Sequence, residues 1–180
     1  QYELGDIEEG FSQASLVIER EFRTKTVHQG YIEPQNGTAW WRADGFVTVW
    51  CSSQGHFGIR DATATVLGLP VSKINVVPME IGGGFGGKLP CYLEPLAALL
   101  SKQSGNPVKM HMTRAEVIEA SGPTCGSLIK AKMGVDREGK ITAAQAQLYF
   151  EAGAFPGSPV GGATACMLSP YDIPNLKLDG

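Results

Sequence analysis

Residues 80–90 read Glu-Ile-Gly-Gly-Gly-Phe-Gly-Gly-Lys-Leu-Pro, with five glycines between Ile81 and Lys88. Two kinds of anion chemistry use such a spacing. Gly82, Gly87 and Lys88 fit G-x-x-x-x-G-K, the loop whose backbone N–H groups and lysine surround phosphates. Gly82, Gly84 and Gly87 fit G-x-G-x-x-G, the dinucleotide-binding turn. The phosphate loop also needs Ser or Thr after the lysine to hold magnesium, and Leu89 and Pro90 stand there instead. Pro90 has no N–H to offer phosphate oxygens. The dinucleotide turn needs an acidic residue about 20 residues onward, at the end of a second strand. The segment "NPVKMHM" in that region carries no carboxylate. A plain connection needs one or two glycines. Five carry a large entropy cost on folding, which is easier to explain if a ligand must approach the backbone closely.

The elements around the loop follow from periodicity and punctuation. Lys73–Ile81 is β-rich and predicts the strand entering it. Cys91–Pro107 predicts the helix leaving it, with Pro95 in the first turn and Gly105 and Pro107 as the stop. His56–Pro70 spaces Ile59, Ala62, Val66 and Leu67 as a helix does, ended by Gly68 and Pro70. Thr113 and Glu116 form a capping box for a third helix, after a short strand in "VKMHM". Ala14–Val27 alternates as a strand. Residues 37–52 read as a hairpin about Asp44-Gly45, with the tryptophans 40, 41 and 50 expected to pair across it. The clearest hairpin starts at Ser127. Ile129, Ala131, Met133 and Val135 share one face, Lys130 and Lys132 the other, and Asp136–Gly139 make the turn. The stretch "SPYDIPNLKLDG" enters a last strand. Strands and helices mix without a strict βαβ rhythm, so the fold class is α+β, with mixed and antiparallel sheets and about three helices.

At 180 residues and 43% hydrophobic content the chain makes one domain, or two small halves, with a real core. A net charge of −3 leaves no basic face for nucleic acid. No apolar run reaches the length a membrane helix needs. The start "QYELGDIEEGF" is acidic and polar, unlike a signal or transit peptide. Cys51, Cys91, Cys125 and Cys166 lie more than thirty residues apart with no C-x-x-C, against a zinc ribbon or iron–sulfur cluster held by this chain alone. Buried thiols in a reducing cytoplasm are expected. Asn36-Gly37-Thr38 fits a glycosylation sequon, but an Asn-Gly turn is expected.

"GGGFGGK" in this setting resembles the molybdenum hydroxylases: xanthine dehydrogenase, aldehyde oxidoreductase, carbon monoxide dehydrogenase and their relatives. The likeness extends over Ser52–Lys88, where a Gln-Gly precedes a helix ending Leu-Gly-x-Pro, then a strand, then the loop. "HQGYIEPQNGTAWW" is similar to the upstream segment of that family, and "GAF" and "SPYDIPN" to the downstream one. The resemblance implies a molybdenum atom carried by a pterin, which oxidises an electron-poor carbon and passes electrons to iron–sulfur and flavin centres on other subunits or domains. Gln54 falls at the glutamine that donates to an oxo ligand of the metal without ligating it. Phe85 falls at the loop aromatic beside the metal, Gly84 and Gly86 let the backbone come close, and Gly55 belongs to the Gln-Gly turn. Lys88 is expected either to face an anionic cofactor group or substrate, or to face solvent or staple the loop.

Two departures bear on substrate. The glutamate that follows Gly-Gly-Lys in xanthine dehydrogenases is Leu89 here, which points to a less polar pocket. The segment "EASGPTCGS" lacks the Arg-His-Pro of many relatives. The family's catalytic glutamate lies near the far end of a much longer chain. No catalytic residue is therefore expected in this one, and no motif assigns that role to Glu19, Glu21, Glu33, Glu94 or Glu151. Glu33 and Glu94 match family positions as structural neighbours. Residues 1–180 are expected to be the first part of the cofactor-binding domain of a larger cytoplasmic enzyme, inactive alone. The chain would supply one wall of the site, partnered by the remaining cofactor-binding domain and iron–sulfur and FAD domains. Alone, it is expected to expose apolar surface and self-associate. The alternative is a stand-alone, non-catalytic binding or scaffold domain that kept the fold.

Overall fold

The structure is a computed structural model that describes residues 1–154 and 157–180. In chain order its first elements are β1 (Tyr2–Leu4), α1 (Ile7–Ser12), β2 (Leu16–Thr24), β3 (Asn36–Trp41), β4 (Val47–Cys51), α2 (His56–Leu67) and β5 (Ile74–Pro78). There follow α3 (Glu94–Ser104), β6 (Val108–His111), α4 (Arg114–Ala120), β7 (Ser127–Val135), β8 (Ile141–Phe150), α5 (Val160–Cys166) and β9 (Leu176–Asp179). They form two compact units, residues 28–124 and residues 1–27 with 125–180.

The unit of residues 28–124 holds the glycine loop. Its sheet runs β5-β4-β3-β6, with β4 and β5 parallel and the other pairs antiparallel. The turn between β3 and β4 uses Gly45 at φ 81°, while the Asp44 carboxylate accepts from the Phe46 N–H at 3.1 Å. Parallel pairing requires a crossover, and α2 supplies it. This helix stops at Gly68, which takes the left-handed conformation and returns its N–H to the last carbonyls. Ala39, Val47, Val49 and Cys51 alternate onto one sheet face and meet Ile59 and Ala64 of α2 and Ala97 and Ala98 of α3. Each fully buried Val or Ile contributes about 1.5–3 kcal/mol. Small alanines let α3 lie close to the sheet, and Ser101, fully buried, accepts from the Trp41 N–H and donates to the Asn106 carbonyl.

In the other unit the sheet order is β1-β9-β8-β7-β2, parallel only between β8 and β9. The β7–β8 turn is closed by Asp136, whose carboxylate accepts from the N–H groups of Glu138 and Lys140. Val160, Ala163 and Met167 of the α5 region bury Ala146, Leu148 and Leu178.

The three expected helices are present as α2, α3 and α4, and the described residues add two short ones, α1 and α5. The tryptophans do not pair: register sets Trp50 opposite Thr38 and Trp40 opposite Thr48. Asn36-Gly37 is no turn. Both residues lie in β3, where the Asn36 amide donates to Glu33 and to the Pro34 carbonyl. All four cysteines are free. Cys51 is buried as expected, but Cys166 is exposed. Phe155, the last residue of the "GAF" segment, lies outside the described residues. Among the described residues, no helix is long and apolar enough to cross a membrane.

Candidate functional site

The strand β5 ends at Pro78 and the chain reaches α3 only at Glu94, so the glycine run is a loop held from outside. Two turns meet there. Ser52-Ser53-Gln54-Gly55, between β4 and α2, is stitched to Lys88: the Gln54 N–H and the Ser53 hydroxyl both donate to the Lys88 carbonyl, at 2.9 and 3.0 Å. The Gln54 side chain completes the joint. Its Oε1 accepts from the N–H groups of Gly86 and Lys88, at 3.0 and 3.1 Å. Two N–H donors require an acceptor, which fixes the amide oxygen inward and leaves Nε2 facing out. Among the described residues Nε2 has no partner, and the Gln54 side chain is exposed. Gly84 must be glycine, because a Cβ there would sit 2.5 Å from Gln54 Oε1.

Beneath the loop lies Tyr31, 1% exposed. A Cβ on Gly87 would stand 2.8 Å from its ring, and one on Gly83 would stand 3.1 Å from its Cβ. Gln35 donates to the Gly87 carbonyl and to the Tyr31 hydroxyl. Phe85 alone among the described non-glycine residues has a positive φ, 51°, and its side chain is 71% exposed. A bulky residue held left-handed with its ring in the open is strained without a packing reward. Leu89 is 55% exposed and lies against Gly55, Cδ2 being 3.5 Å from where a Gly55 Cβ would be. Gln54, Phe85, Gly86 and Leu89 are exposed and form one surface with half-buried Gly55, while Gly84 is buried against the Gln54 side chain.

Lys88 is turned inward, 1% exposed. Its ammonium donates to Glu33 Oε2 at 2.6 Å and to the Ser52 hydroxyl at 3.4 Å, and lies over the Tyr31 ring. It staples the loop to the Glu33 carboxylate and is turned away from the open face where a cofactor or substrate group would lie. Burial pushes the Glu33 carboxyl up, but Lys88, the Gly82 N–H, Asn36 and Ser52 outweigh it and hold Glu33 down to about 2. Glu94 is buried at the start of α3, accepting from the Tyr92 N–H. Burial, and secondarily the Glu94 charge, pushes the Cys51 and Cys91 thiols up to about 12. Those thiols are inert as nucleophiles at neutral pH. Tyr31, Ser53 and Gln35 lie in the segments that resemble the family, but no motif gave them a role, because only the folded chain brings them against the loop.

The family model of the molybdopterin cofactor-binding domain matches residues 1–180. The chain belongs to that family. The nicotinate dehydrogenase large molybdopterin subunit of Eubacterium barkeri is 31% identical over 180 residues, 98% of this chain and 42% of that subunit. Carbon monoxide dehydrogenase from Oligotropha carboxidovorans superposes with a TM-score of 0.69 at 29% identity, covering 98% of this chain and 23% of that one. The aldehyde oxidoreductase from Desulfovibrio desulfuricans shares the fold at a TM-score of 0.78 and 21% identity, over 98% of this chain and 20% of that one. The chain thus spans less than half the length of these relatives.

The residues of this molybdopterin cofactor-binding domain fit such a group on three counts. The outward Gln54 amide is a free donor. The N–H groups of Gly83, Gly84 and Phe85 meet no protein acceptor among the described residues, and beside them Phe85 is exposed and a Cβ on Gly86 would touch nothing within 4 Å, so open space adjoins unpaired backbone donors. Beside the loop, the buried Gln29 Oε1 also has no partner, and neither does His56 Nε2 one residue beyond Gly55.

Proposed function

We propose that this chain is the first part of the cofactor-binding domain of a larger molybdenum hydroxylase and forms one wall of its metal site. The observation that carries the reading is the exposed Gln54 amide, whose oxygen is committed to Gly86 and Lys88 and whose NH2 group has no partner among the described residues. Gln54 would donate to an oxo ligand without ligating the metal. Gly55 sets the turn, Gly84 makes room for the Gln54 side chain, Gly86 would admit the cofactor to the backbone, and Phe85 would lie beside the metal. Leu89 would contact substrate. The cofactor, when bound, supplies two-electron oxidation of an electron-poor carbon. An apolar Leu89 favours an aldehyde or N-heterocycle that brings no polar group to that position. The partners are the rest of the cofactor-binding domain and iron–sulfur and FAD domains, in the cytoplasm.

Metal analysis of the complete gene product tests this reading. Molybdenum near one per chain is expected, and a well-folded protein without it would overturn the assignment in favour of a binding scaffold. In the loaded protein, Gln54→Ala should lower turnover with the fold intact; unchanged turnover would remove the role given to Gln54.

A further inference from the structure

Each end of the glycine loop is tied to one carboxylate. Glu33 Oε2 accepts from the Gly82 N–H at 2.7 Å and from Lys88 Nζ at 2.6 Å, so a single oxygen bridges the first and last residues of the run. Its other oxygen, Oε1, accepts from the Asn36 amide at 3.0 Å. The Glu33 N–H returns a bond to the Gly82 carbonyl at 3.1 Å. The partner ammonium is fully buried, 1% exposed against 28% for Glu33, and sits on the Tyr31 ring and the Ser52 hydroxyl. Lys88 also donates its own backbone N–H to Gln54 Oε1. One residue therefore joins the clamp to the outward amide.

We infer that Glu33 and Lys88 are positioning residues: the ion pair closes the loop at both ends and thereby sets the direction in which the Gln54 amide points. The consequence for Gln54 rests on the proposed function; the clamp itself does not. Five flexible glycines have no side chains with which to hold their own conformation, so order must come from outside the run. A buried ion pair whose members share further hydrogen bonds is directional, and directionality is what this loop lacks. Leaving either charge without the other in this place loosens the segment it anchors.

The test uses Glu33→Gln, Lys88→Met and the double substitution, which leaves no buried charge uncompensated if a single variant fails to fold. Backbone hydrogen exchange of these amides is read in the complete protein prepared without molybdenum. In Glu33→Gln the amides of Gly82, Gly86 and Lys88 should exchange faster, on the order of tenfold or more, as expected for losing a hydrogen bond to a charged group, with the amides of α2 unchanged. The double variant should leave Gly82 as exposed as the single one. In the molybdenum-loaded complete protein, Glu33→Gln should shift the molybdenum electron paramagnetic resonance signal in the same sense as Gln54→Ala. Loop exchange at the wild-type rate overturns the clamp whatever the metal content. Faster exchange with an unshifted resonance overturns the link to Gln54. Absence of molybdenum from the complete protein removes the proposed function and leaves the exchange result standing.

Discussion

Gln54 shows how much of a site one side chain can decide. Its amide has two ends, and the loop takes the acceptor end, so the donor end is presented by elimination. Gly84 guards that arrangement. In Gly84→Ala the new methyl would stand 2.5 Å from Gln54 Oε1, so the side chain must leave the loop. The variant should keep its circular dichroism spectrum and lower the turnover of the molybdenum-loaded complete protein as Gln54→Ala does; unchanged turnover would show that the placement of Gln54 does not matter there. Glu33 gives a second residue-scale prediction. Its carboxyl is held down to about 2 from an ordinary 4.5, a difference worth about 3 kcal/mol between its protonation states. A depressed carboxyl stabilises the fold fully above its unfolded value, and that contribution is lost as pH falls from 4.5 towards 2. Urea unfolding of the wild type and Glu33→Gln should differ at pH 7, and the gap should shrink as pH falls below 4.5 and be mostly gone at about pH 2. A gap that persists in acid would mean that the carboxylate charge is not what matters. The sequence displayed Gln54 and the glycines through their family resemblance, and left Lys88 with two readings. Burial decided between those readings, and burial is a property of the folded chain.

Among the elements, legibility followed local chemistry. The helix α4 was announced by Thr113 and Glu116, and the structure has both halves of the box, with the Glu116 N–H on Thr113 Oγ1 and the Thr113 N–H on Glu116 Oε2. Thr113→Ala should cost about 1 kcal/mol of stability, read as a lowered urea midpoint with an unchanged slope. No change would mean that the helix end is held by packing alone. The helix α1 carried a signal too: Asp6 caps the N–H groups of Glu8 and Glu9, in a D-x-x-E spacing that its six-residue length obscured. For α5 there was none. Two of its seven residues are glycine, and it is helical because Val160 and Ala163 cover the β8–β9 face, a tertiary effect that overrides propensity. Asn36-Gly37 failed in the opposite sense. A turn dipeptide was drawn into β3 because Gly37 pairs with both Cys51 and Met110 and leaves room for the Glu94 side chain. A site built on turns stitched to each other is legible only where the turn residues are themselves unusual.

At the scale of the whole molecule, two features decide what the chain does on its own. The first is chemical. Glu33, the carboxylate tied to the loop, is engaged by Lys88 and held near 2, so it cannot take a proton in neutral solution. The wall presents a donor, an aromatic ring and a leucine, and the isolated chain should show no turnover. The second is physical. All nine residues of β2 are exposed, at the edge of their sheet, with one backbone edge unpaired. Leu16, Ile18 and Phe22 lie opposite Val135, Met133 and Ile129, so one face of this edge is apolar across two strands except for Arg20, opposite Ala131. The other face carries Glu19 and Glu21 opposite Lys132 and Lys130, which keeps it in water. Such an edge is sticky on one side only. The isolated chain should therefore self-associate as its concentration rises, seen by sedimentation velocity. Replacing Ile18 and Phe22 together by lysine should restore the monomer, because both side chains are already in solvent and charge there repels a second edge without disturbing the core. Persistent association of that variant would place the adhesive surface elsewhere, and a wild-type chain that stays monomeric would mean that the Glu and Arg residues of β2 are protection enough.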